Sequence, residues 1–433
     1  MKTQKKKIVI IGGGFAGVNL AKKLTKSDHF EIILVDKNNY NFFPPLIYQV
    51  ATGYLETSSI CYPFRMLFRD KKNFRFILGE LKEVIIKEKK LILSTGSIHY
   101  DWLVFSTGCV TNYFGIESIK HHAIPMKTVS DALSMRNTLL ERLEEASRET
   151  NMEIRGKLLT VVVAGGGPSG VEISGMFAEM KQKIIAKDYP ELKGSSGEIY
   201  LVDGLNSVLS PMSENSQQYA YDKLVEMGVK IRLNSMVTDF KNDVVHFANG
   251  DKIETKNLIW TAGVTAIIFK GIPPEAYGKG KRLIVDAFNK VIGQEDIFAI
   301  GDTCIQTTDT AFPQGHPQVA QVAIQQGQNL AHNWIKTLKS KSSVPFKYHD
   351  KGSMAIIGRN KAVAEFPKPK LFFSGFIAWI MWLFIHLLSL INYRNRLSTL
   401  YNWTTAYFTK DQALRFIVRT TLRKEVLTRE ISD

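Results

Sequence analysis

The chain opens with apolar runs of the kind that parallel β-sheets bury on both faces. Residues 8–12 (IVIIG) and 31–36 (EIILVD) are almost uninterrupted by polar side chains. Near-continuous runs of this length are typical of strands covered by helices on both sides. A third run at 101–108 (DWLVFSTG) predicts a strand that returns to the same sheet. The pattern therefore indicates an α/β domain.

The same pattern occurs a second time, about one domain further along. Residues 131–150 have the spacing of an amphipathic helix, and 158–180 repeat the strand, loop and helix of the N-terminus. Strand-like runs follow at 229–233, 243–247 and 257–263. A last run at 296–302 (DIFAIGD) predicts that the chain returns to the first domain. The predicted domains are 1–125 with 286–365, then 126–285, and a C-terminal region at 366–433.

Each unit carries a glycine-rich loop between its first strand and its first helix. The spacing is GxGxxG in both, at Gly12, Gly14 and Gly17 and again at Gly165, Gly167 and Gly170. An acid ends the next apolar run in each unit, Asp36 in the first and Asp203 in the second. The glycines let backbone approach a pyrophosphate, the helix N-terminus binds it, and the acid accepts from a ribose hydroxyl. Two such sites indicate a flavin that exchanges electrons with a nicotinamide.

Composition adds a strongly basic surface to this picture. The 433 residues are 45% hydrophobic and carry a formal net charge of +15. Such a charge suits nucleic acid or an anionic membrane, but no arginine-rich tract or nucleic-acid motif is present, so we expect no nucleic-acid partner. Cys61, Cys109 and Cys304 lie far apart, which predicts no metal site and a reducing compartment.

The C-terminal region contains an apolar segment of membrane type. Residues 371–391 contain no Asp, Glu, Lys or Arg, and about 20 such residues are enough for a helix to span a bilayer. The stretch that follows mixes aromatic and basic residues, as interfacial helices do. We expect one-sided membrane attachment rather than a transmembrane span; a buried core helix is the third alternative.

Several segments together resemble the type II NADH:quinone oxidoreductases, single-subunit enzymes that do not pump protons, within the FAD-dependent pyridine nucleotide-disulphide oxidoreductases. The resemblance covers nearly the whole chain, in the order of the family. The segments are NFFPPLIYQVATG (41–53), WTAGV (260–264), DIFAIGDTC (296–304), AQVAIQQG (320–327), GSMAIIGRNKAVAEF (352–366) and SGFIAWIMWLFIHLLSLINYRNRL (374–397). It implies an α/β fold with two Rossmann-like dinucleotide-binding domains, as in glutathione reductase, plus a C-terminal helical membrane-anchoring region.

The resemblance also implies cofactors, partners and a location. The cofactors are FAD and NADH, with hydride passing to the flavin and two electrons then passing to a membrane quinone, ubiquinone or menaquinone. The implied partners include the lipid bilayer and leave a homodimer open; the location is the cytoplasmic face of a bacterial cell membrane. The implied cofactor-binding residues are Gly12, Gly14, Phe15, Ala16, Gly17, Asp36, Lys37, Gln49, Thr107, Gly108, Gly301, Asp302, Gln318, Val319, Ala320, Gly165, Gly167, Pro168, Ser169, Gly170, Asp203, Ala262 and Gly263.

Four further residues are implied to act in catalysis. Glu172 would lie near the nicotinamide and the flavin, although a carboxylate in a first helical turn is also simply stabilised by the helix N-terminus. Gln321 and Gln325 lie four residues apart, on one helical face, and paired amides suit a quinone whose carbonyls become hydroxyls. Without the resemblance they would be ordinary solvated glutamines. Lys361 would place a cation near the flavin, or be a surface lysine.

Two alternatives to this function stay open at the level of sequence. Sulfide:quinone oxidoreductase shares the fold and the membrane location, but its chemistry needs a cysteine pair that bridges sulfur, and Cys109 with Cys304 is the one plausible pair. A non-respiratory, NADH-sensing flavoprotein that binds a partner is the other. It fits the basic charge but leaves the paired glutamines and the apolar tail unexplained.

Overall fold

The computed structural model describes residues 5–182, 186–195, 197–409 and 414–418. Its N-terminal part alternates strands and short helices. The elements are, in chain order, β1 (Lys6–Ile11), α1 (Phe15–Leu24), β2 (Phe30–Asp36), β3 (Tyr40–Phe42), α2 (Ile47–Ala51), α3 (Thr57–Ile60), β4 (Cys61–Pro63), α4 (Phe64–Leu67), β5 (Phe74–Leu78), β6 (Leu81–Ile85), β7 (Lys90–Leu93), β8 (Gly96–His99), β9 (Trp102–Phe105), β10 (Val110–Thr111), α5 (Glu117–His122) and β11 (Ile124–Pro125).

The middle of the chain repeats this alternation. Its first long helix, α6, begins with a capping box in which Thr128 and Asp131 satisfy each other's backbone N–H groups. The elements are α6 (Val129–Arg148), α7 (Met152–Leu159), β12 (Val161–Ala164), α8 (Pro168–Met180), α9 (Ala186–Asp188), β13 (Ile199–Val202), α10 (Glu214–Glu226), β14 (Val229–Arg232), β15 (Val237–Lys241), β16 (Val244–Phe247), β17 (Lys252–Glu254), β18 (Asn257–Trp260) and β19 (Val264–Thr265).

The C-terminal part contains both the return to the first domain and the apolar tail. Its elements are β20 (Leu283–Val285), β21 (Ile297–Ala299), β22 (Cys304–Gln306), α11 (Ala320–Thr337), β23 (Ser353–Gly358), β24 (Lys361–Pro367), β25 (Lys370–Ser374), α12 (Gly375–Ser389) and α13 (Tyr393–Thr409).

Two parallel sheets form the centres of the two nucleotide-binding units. The first has the strand order β21-β9-β1-β2-β5 and the second β11-β18-β12-β13-β14. In β1, Ile8 and Ile10 enter one hydrophobic core while Val9 and Ile11 enter another on the opposite face. This explains the continuous apolar runs, because neither face of the strand meets water. β21 pairs with β9, so the predicted return of the chain to the first sheet is confirmed.

A third, antiparallel sheet connects these units to the tail. Its order is β23-β24-β25, and the predicted boundary at 365/366 falls inside β24. Helix α8 lies directly against β23: a Cβ added at Gly175 would come within 1.7 Å of the carbonyl oxygen of Ile357. Only a glycine permits this approach, which brings the second nucleotide loop's helix beside the C-terminal sheet.

The structure of the tail bears on the transmembrane alternative for 371–391. Residues 371–374 belong to strand β25, and α12 has 15 residues, about 22 Å of helix at 1.5 Å per residue, against a hydrocarbon core of about 30 Å. Within the described ranges, no helix has the length and apolarity that a bilayer span requires. The suggestion that 371–391 could be a transmembrane helix is therefore wrong. The sequence pattern did not separate the two elements because the end of β25 and the whole of α12 follow each other without a charged residue.

The tail is also part of the protein core. Trp382 on α12 is fully buried and Trp403 on α13 is 7% exposed, in the same hydrophobic cluster as residues of α2 and α8. Asn395 donates hydrogen bonds to the carbonyl oxygens of Ser58, Ser59 and Cys61. The helices α12 and α13 are thus packed onto the nucleotide-binding units rather than tethered to them.

Candidate active site

The first glycine loop is built as the motif predicts. Gly12 has φ +102°, and a Cβ there would meet the Ser106 carbonyl oxygen at 2.4 Å. At the end of β2, the Asp36 carboxylate accepts hydrogen bonds from the N–H groups of Gly13 (2.6 Å) and Asn38 (2.7 Å). Burial raises the pKa of Asp36, and these two hydrogen bonds counteract part of that shift. Beyond the chain neighbours of Gly14, no protein atom lies within 4 Å of the position of a Cβ on this residue, which is the N-cap of α1.

The second loop reproduces this geometry. Gly165 has φ +113°, and the Asp203 carboxylate accepts from the N–H of Gly166 and, at 2.7 Å, from that of Leu205. The position of a Cβ on Gly167 is again open. Pro168 and Ser169 form the first turn of α8, where free backbone N–H groups point outward from the helix end. Each unit thus presents an open glycine next to a helix N-terminus and an oriented carboxylate.

The return of the chain brings a third element to the first loop. Helices α1 and α11 cross so closely that a Cβ on Gly327 would lie 2.5 Å from the Ala16 carbonyl oxygen. The N–H of Gly301 donates to the amide oxygen of the buried Gln326 at 2.7 Å, and this hydrogen bond fixes the turn after β21. Val319 is the N-cap of α11 and Ala320 its first residue, and Gln318 donates to the Asp302 carbonyl oxygen at 3.1 Å.

Asp302 is the residue of this turn whose side chain lacks a protein partner. Among the described residues, no group donates a hydrogen bond to its carboxylate, and burial raises its pKa despite the charges of Lys127 and Arg282. A half-buried carboxylate without a protein donor can accept hydrogen bonds from the hydroxyl groups of a ligand. The open glycines and Asp302 therefore fit a dinucleotide whose polyol chain crosses the end of β21, as FAD would require.

The remaining predicted cofactor contacts lie at the carboxyl ends of the central strands, with one exception. Thr107 and Gly108 follow β9, while Ala262 and Gly263 follow β18. Phe15 is the first residue of α1. The exposed Lys37 follows β2, and its positive charge lowers the pKa of Asp36. The exception is Gln49, which is buried on α2 in the wall of a separate cavity. Its contact with FAD stays a prediction.

This cavity has a volume of about 430 Å³ and is enclosed by elements far apart in sequence: α2, α8, β23, α12 and α13. Most of its wall is apolar. Polar groups gather in the wall at Tyr48, Gln49, Tyr54, Glu172, Glu179 and Arg359. The Arg359 guanidinium lies over the ring of Tyr407, 3.9 Å from its centroid, and the backbone N–H of Arg359 donates to the Glu179 carboxylate. Sequence reasoning missed Tyr48, Tyr54, Glu179 and Arg359; only the YQ and GRN segments of the resemblance contained a signal for any of them.

Glu172 reaches the cavity from the first half of α8. Its carboxylate accepts from the Ile356 N–H, yet burial raises the pKa of Glu172 well above its ordinary value. A carboxylic acid kept neutral in an apolar cavity can donate a hydrogen bond or a proton. This environment differs from that of an exposed carboxylate at a helix end, which favours the functional interpretation of Glu172.

The other predicted catalytic residues lie outside this wall. Gln321 binds the backbone of the 348–352 segment, donating to the Gly352 carbonyl oxygen at 2.9 Å, and Gln325 exchanges two hydrogen bonds with the backbone of His349. Lys361 begins β24 and is half-buried. The contact of the glutamines with quinone, and the place of Lys361 near the flavin, stay predictions.

Two dinucleotide loops in separate parallel sheets, with a chain that returns to complete the first, define the class of two-domain flavin and nicotinamide oxidoreductases. Residues 6–327 match the family model described as pyridine nucleotide-disulphide oxidoreductase, and residues 350–410 match the NDH2 C-terminal domain. The chain belongs to the type II NADH:quinone oxidoreductases within that class. It is an FAD-dependent enzyme that passes electrons from NADH to a quinone.

Individual relatives agree with this assignment. The type II NADH:quinone oxidoreductase NdhA of Mycobacterium tuberculosis is 36% identical over 419 residues, which cover 93% of this chain and 87% of NdhA. The Ndh enzyme of the same organism is 33% identical and the alignment covers 93% and 88% of the two chains. The structure of NDH2 from Plasmodium falciparum in complex with NADH has a TM-score of 0.87 over 96% of this chain and all of that one, at 22% identity, and so supports the fold.

The sulfide:quinone alternative is not favoured. The structure of the Aquifex aeolicus sulfide:quinone oxidoreductase has a TM-score of 0.69 at 18% identity, which is a similarity of fold alone. Cys109 and Cys304 are both free thiols here. Burial raises the pKa of each to about 12, so neither has the thiolate character that sulfur chemistry needs.

Proposed function

We propose that this NADH:quinone oxidoreductase is attached to one leaflet of a membrane by α12 and α13, and that quinone enters the cavity from the lipid. The observation that carries the proposal is an apolar outer face on both helices. Ile377 and Phe384 on α12 are each 61% exposed, and Leu397 on α13 is 67% exposed. Arg394 and Arg396 in the first turn of α13 add positive charge that suits anionic lipid.

The cavity opens onto this same face. Phe376, Ile380, Phe384, Leu400 and Phe408 line the cavity and are also exposed on the outer surface of the tail helices. An apolar ring substrate with a lipid tail could therefore pass from the bilayer into the cavity without crossing water. The neutral Glu172 in its wall would supply a proton as quinone carbonyls become hydroxyls.

The nucleotide-binding residues would hold the two cofactors in separate loops. Asp36, Asp302 and the first glycine loop would bind FAD, while Asp203 and the second loop would bind NADH. FAD supplies the redox chemistry when bound, taking hydride from the nicotinamide and releasing electrons to quinone. The protein's part is to orient both nucleotides and to exclude water from the space between them.

Asp203 should make the enzyme selective for NADH. Its carboxylate is held by the N–H groups of Gly166 and Leu205. It can accept a hydrogen bond from the free 2′-hydroxyl of the adenosine ribose of NADH but would repel the 2′-phosphate of NADPH. Like charges in direct contact cost several kcal/mol, so kcat/KM for NADH should exceed that for NADPH by about 100-fold or more. Steady-state rates with one quinone and both nucleotides measure this ratio. Equal efficiencies would contradict the assignment of Asp203.

Membrane attachment can be tested without touching the cavity. The double variant Ile377→Glu/Leu397→Glu charges the outer face at two positions that do not line the cavity. Burying either charge in hydrocarbon is costly, so binding to phospholipid vesicles should weaken by about tenfold or more in a flotation assay. Turnover with a short, water-soluble quinone should persist, while turnover with a long-chain quinone in vesicles should fall.

The matched control charges apolar residues of similar exposure elsewhere. Ile268 and Ile292 are 56% and 53% exposed and lie outside the tail. Ile268→Glu/Ile292→Glu should bind vesicles like the unchanged protein. If both double variants bind lipid equally well, the tail helices are not the membrane-binding surface.

A further inference from the structure

A chain of three buried side chains runs from the tail helix α13 to the polar wall of the cavity. The indole N–H of Trp403 donates to the Oε1 atom of Gln49 at 2.8 Å. The Nε2 atom of Gln49 donates to the hydroxyl oxygen of Tyr48 at 2.9 Å. All three residues line the cavity, and Gln49 and Tyr48 are 3% and 1% exposed.

The direction of these hydrogen bonds follows from chemistry alone. An indole nitrogen can only donate, so the amide of Gln49 must turn its oxygen toward Trp403 and its NH₂ group toward Tyr48. The Tyr48 oxygen therefore accepts, and its own hydrogen must point elsewhere. Among the residues that the structure describes, none accepts that hydrogen. Tyr48 lines the cavity, so a molecule bound in the cavity is the acceptor that remains for this hydrogen.

We propose that Tyr48 donates a hydrogen bond to a carbonyl oxygen of the bound quinone, and that Trp403 and Gln49 are positioning residues that turn the hydroxyl hydrogen into the cavity. The inference rests on the proposed entry of quinone into this cavity. Trp403 on α13 would then have two roles, because it packs in the core and also determines the direction of the Tyr48 hydroxyl hydrogen in the quinone site.

The surroundings of Tyr48 keep it a donor. Burial is the largest cause that raises the pKa of Tyr48 well above its ordinary value, so the phenol stays protonated at any physiological pH. Glu172 lines the same cavity, and the burial that raises its pKa favours the protonated form, which is a second donor. A quinone has two carbonyl oxygens, and one wall that offers two donors would hold the ring in a fixed orientation.

The first test removes the hydroxyl. Tyr48→Phe keeps the ring and should weaken binding of a short-chain quinone by about three- to tenfold, the range for one buried hydrogen bond. Calorimetric titration of the oxidised holoenzyme with that quinone, without NADH, measures the dissociation constant directly. KM for quinone should rise in parallel, whereas KM for NADH with ferricyanide as acceptor should not change.

The second test addresses the direction of the hydrogen bonds in the chain from Trp403 through Gln49 to Tyr48, called the relay below. Trp403→Phe removes the indole N–H together with the five-membered ring, so Gln49 loses its donor and can rotate its oxygen toward the Tyr48 hydrogen. Gln49→Glu keeps the shape of the side chain but offers two acceptors, which should also draw the hydrogen away from the cavity. Each should weaken quinone binding about as much as Tyr48→Phe. The double variant Tyr48→Phe/Trp403→Phe should be no weaker than Tyr48→Phe alone, since both changes remove the same hydrogen bond.

Additive losses in the double variant, or unchanged quinone affinity in Tyr48→Phe, would overturn the relay. Flavin content and the thermal midpoint of each variant monitor the fold. A separate variant, Leu383→Trp, fills the cavity with a larger apolar side chain. If it leaves quinone binding intact, the cavity is not the quinone site and the proposed function fails; if it blocks binding while Tyr48→Phe does not weaken it, only the present inference fails.

Discussion

A Gly17→Ala variant should be isolated without flavin, whereas Gly170→Ala should keep its flavin and lose its response to NADH. The two glycines occupy equivalent positions in the two loops. A Cβ on Gly17 would lie 2.1 Å from the Gly12 carbonyl oxygen, and a Cβ on Gly170 would lie 1.7 Å from that of Gly165. In each case the obstacle is the backbone of the loop itself, so the loop must open.

The opened loop can no longer approach a pyrophosphate, and each variant should therefore lose one nucleotide only. Displacing positioning groups by about 1 Å can cost about 100-fold in rate, so reduction of Gly170→Ala by NADH should slow at least that much. Flavin absorbance per chain measures the first effect. Bleaching by NADH, compared with bleaching by dithionite, measures the second. Loss of flavin from both variants would show instead that the two units do not bind their nucleotides separately.

The sequence predicted the two nucleotide-binding units because their signals are local. The runs at 8–12 and 31–36 form β1 and β2, and the helix predicted at 131–150 is α6, displaced by two residues. Buried parallel strands need apolar residues on both faces, and this need is visible in any short window. The glycine loops are equally local, since each lies within a single strand–helix junction.

The cavity could not be predicted in this way. The hydrogen bond between Gln49 and Trp403 joins residues 354 positions apart, and no spacing in the sequence connects them. Gln49 was assigned to FAD by resemblance, although its amide is engaged at both ends within the cavity wall. The tail posed a different difficulty, because apolar residues serve equally well in a strand, a core helix and a membrane-facing surface. Only tertiary packing separates those three uses.

That packing leads to the prediction with the largest effect on stability. Trp382 is fully buried on α12, stacks on His386 with 3.9 Å between ring centroids, and belongs to the core shared with α2 and α8. Replacing such a residue by alanine removes its apolar surface from the core and leaves a cavity. Trp382→Ala should therefore lower the free energy of unfolding by about 3–5 kcal/mol. Denaturant titration of the flavin-loaded protein in detergent measures this loss.

Phe384, two residues further along the same helix, provides the matched comparison. It is 61% exposed, so Phe384→Ala should change the stability in detergent by no more than about 0.5 kcal/mol while weakening the binding to lipid vesicles. The two variants thus separate the inward and outward faces of α12. If Trp382→Ala were as stable as Phe384→Ala, the tail would be a loosely attached membrane anchor. The relay from Trp403 to Tyr48 would then have no rigid support, since it requires α13 to be held against α2 by this core.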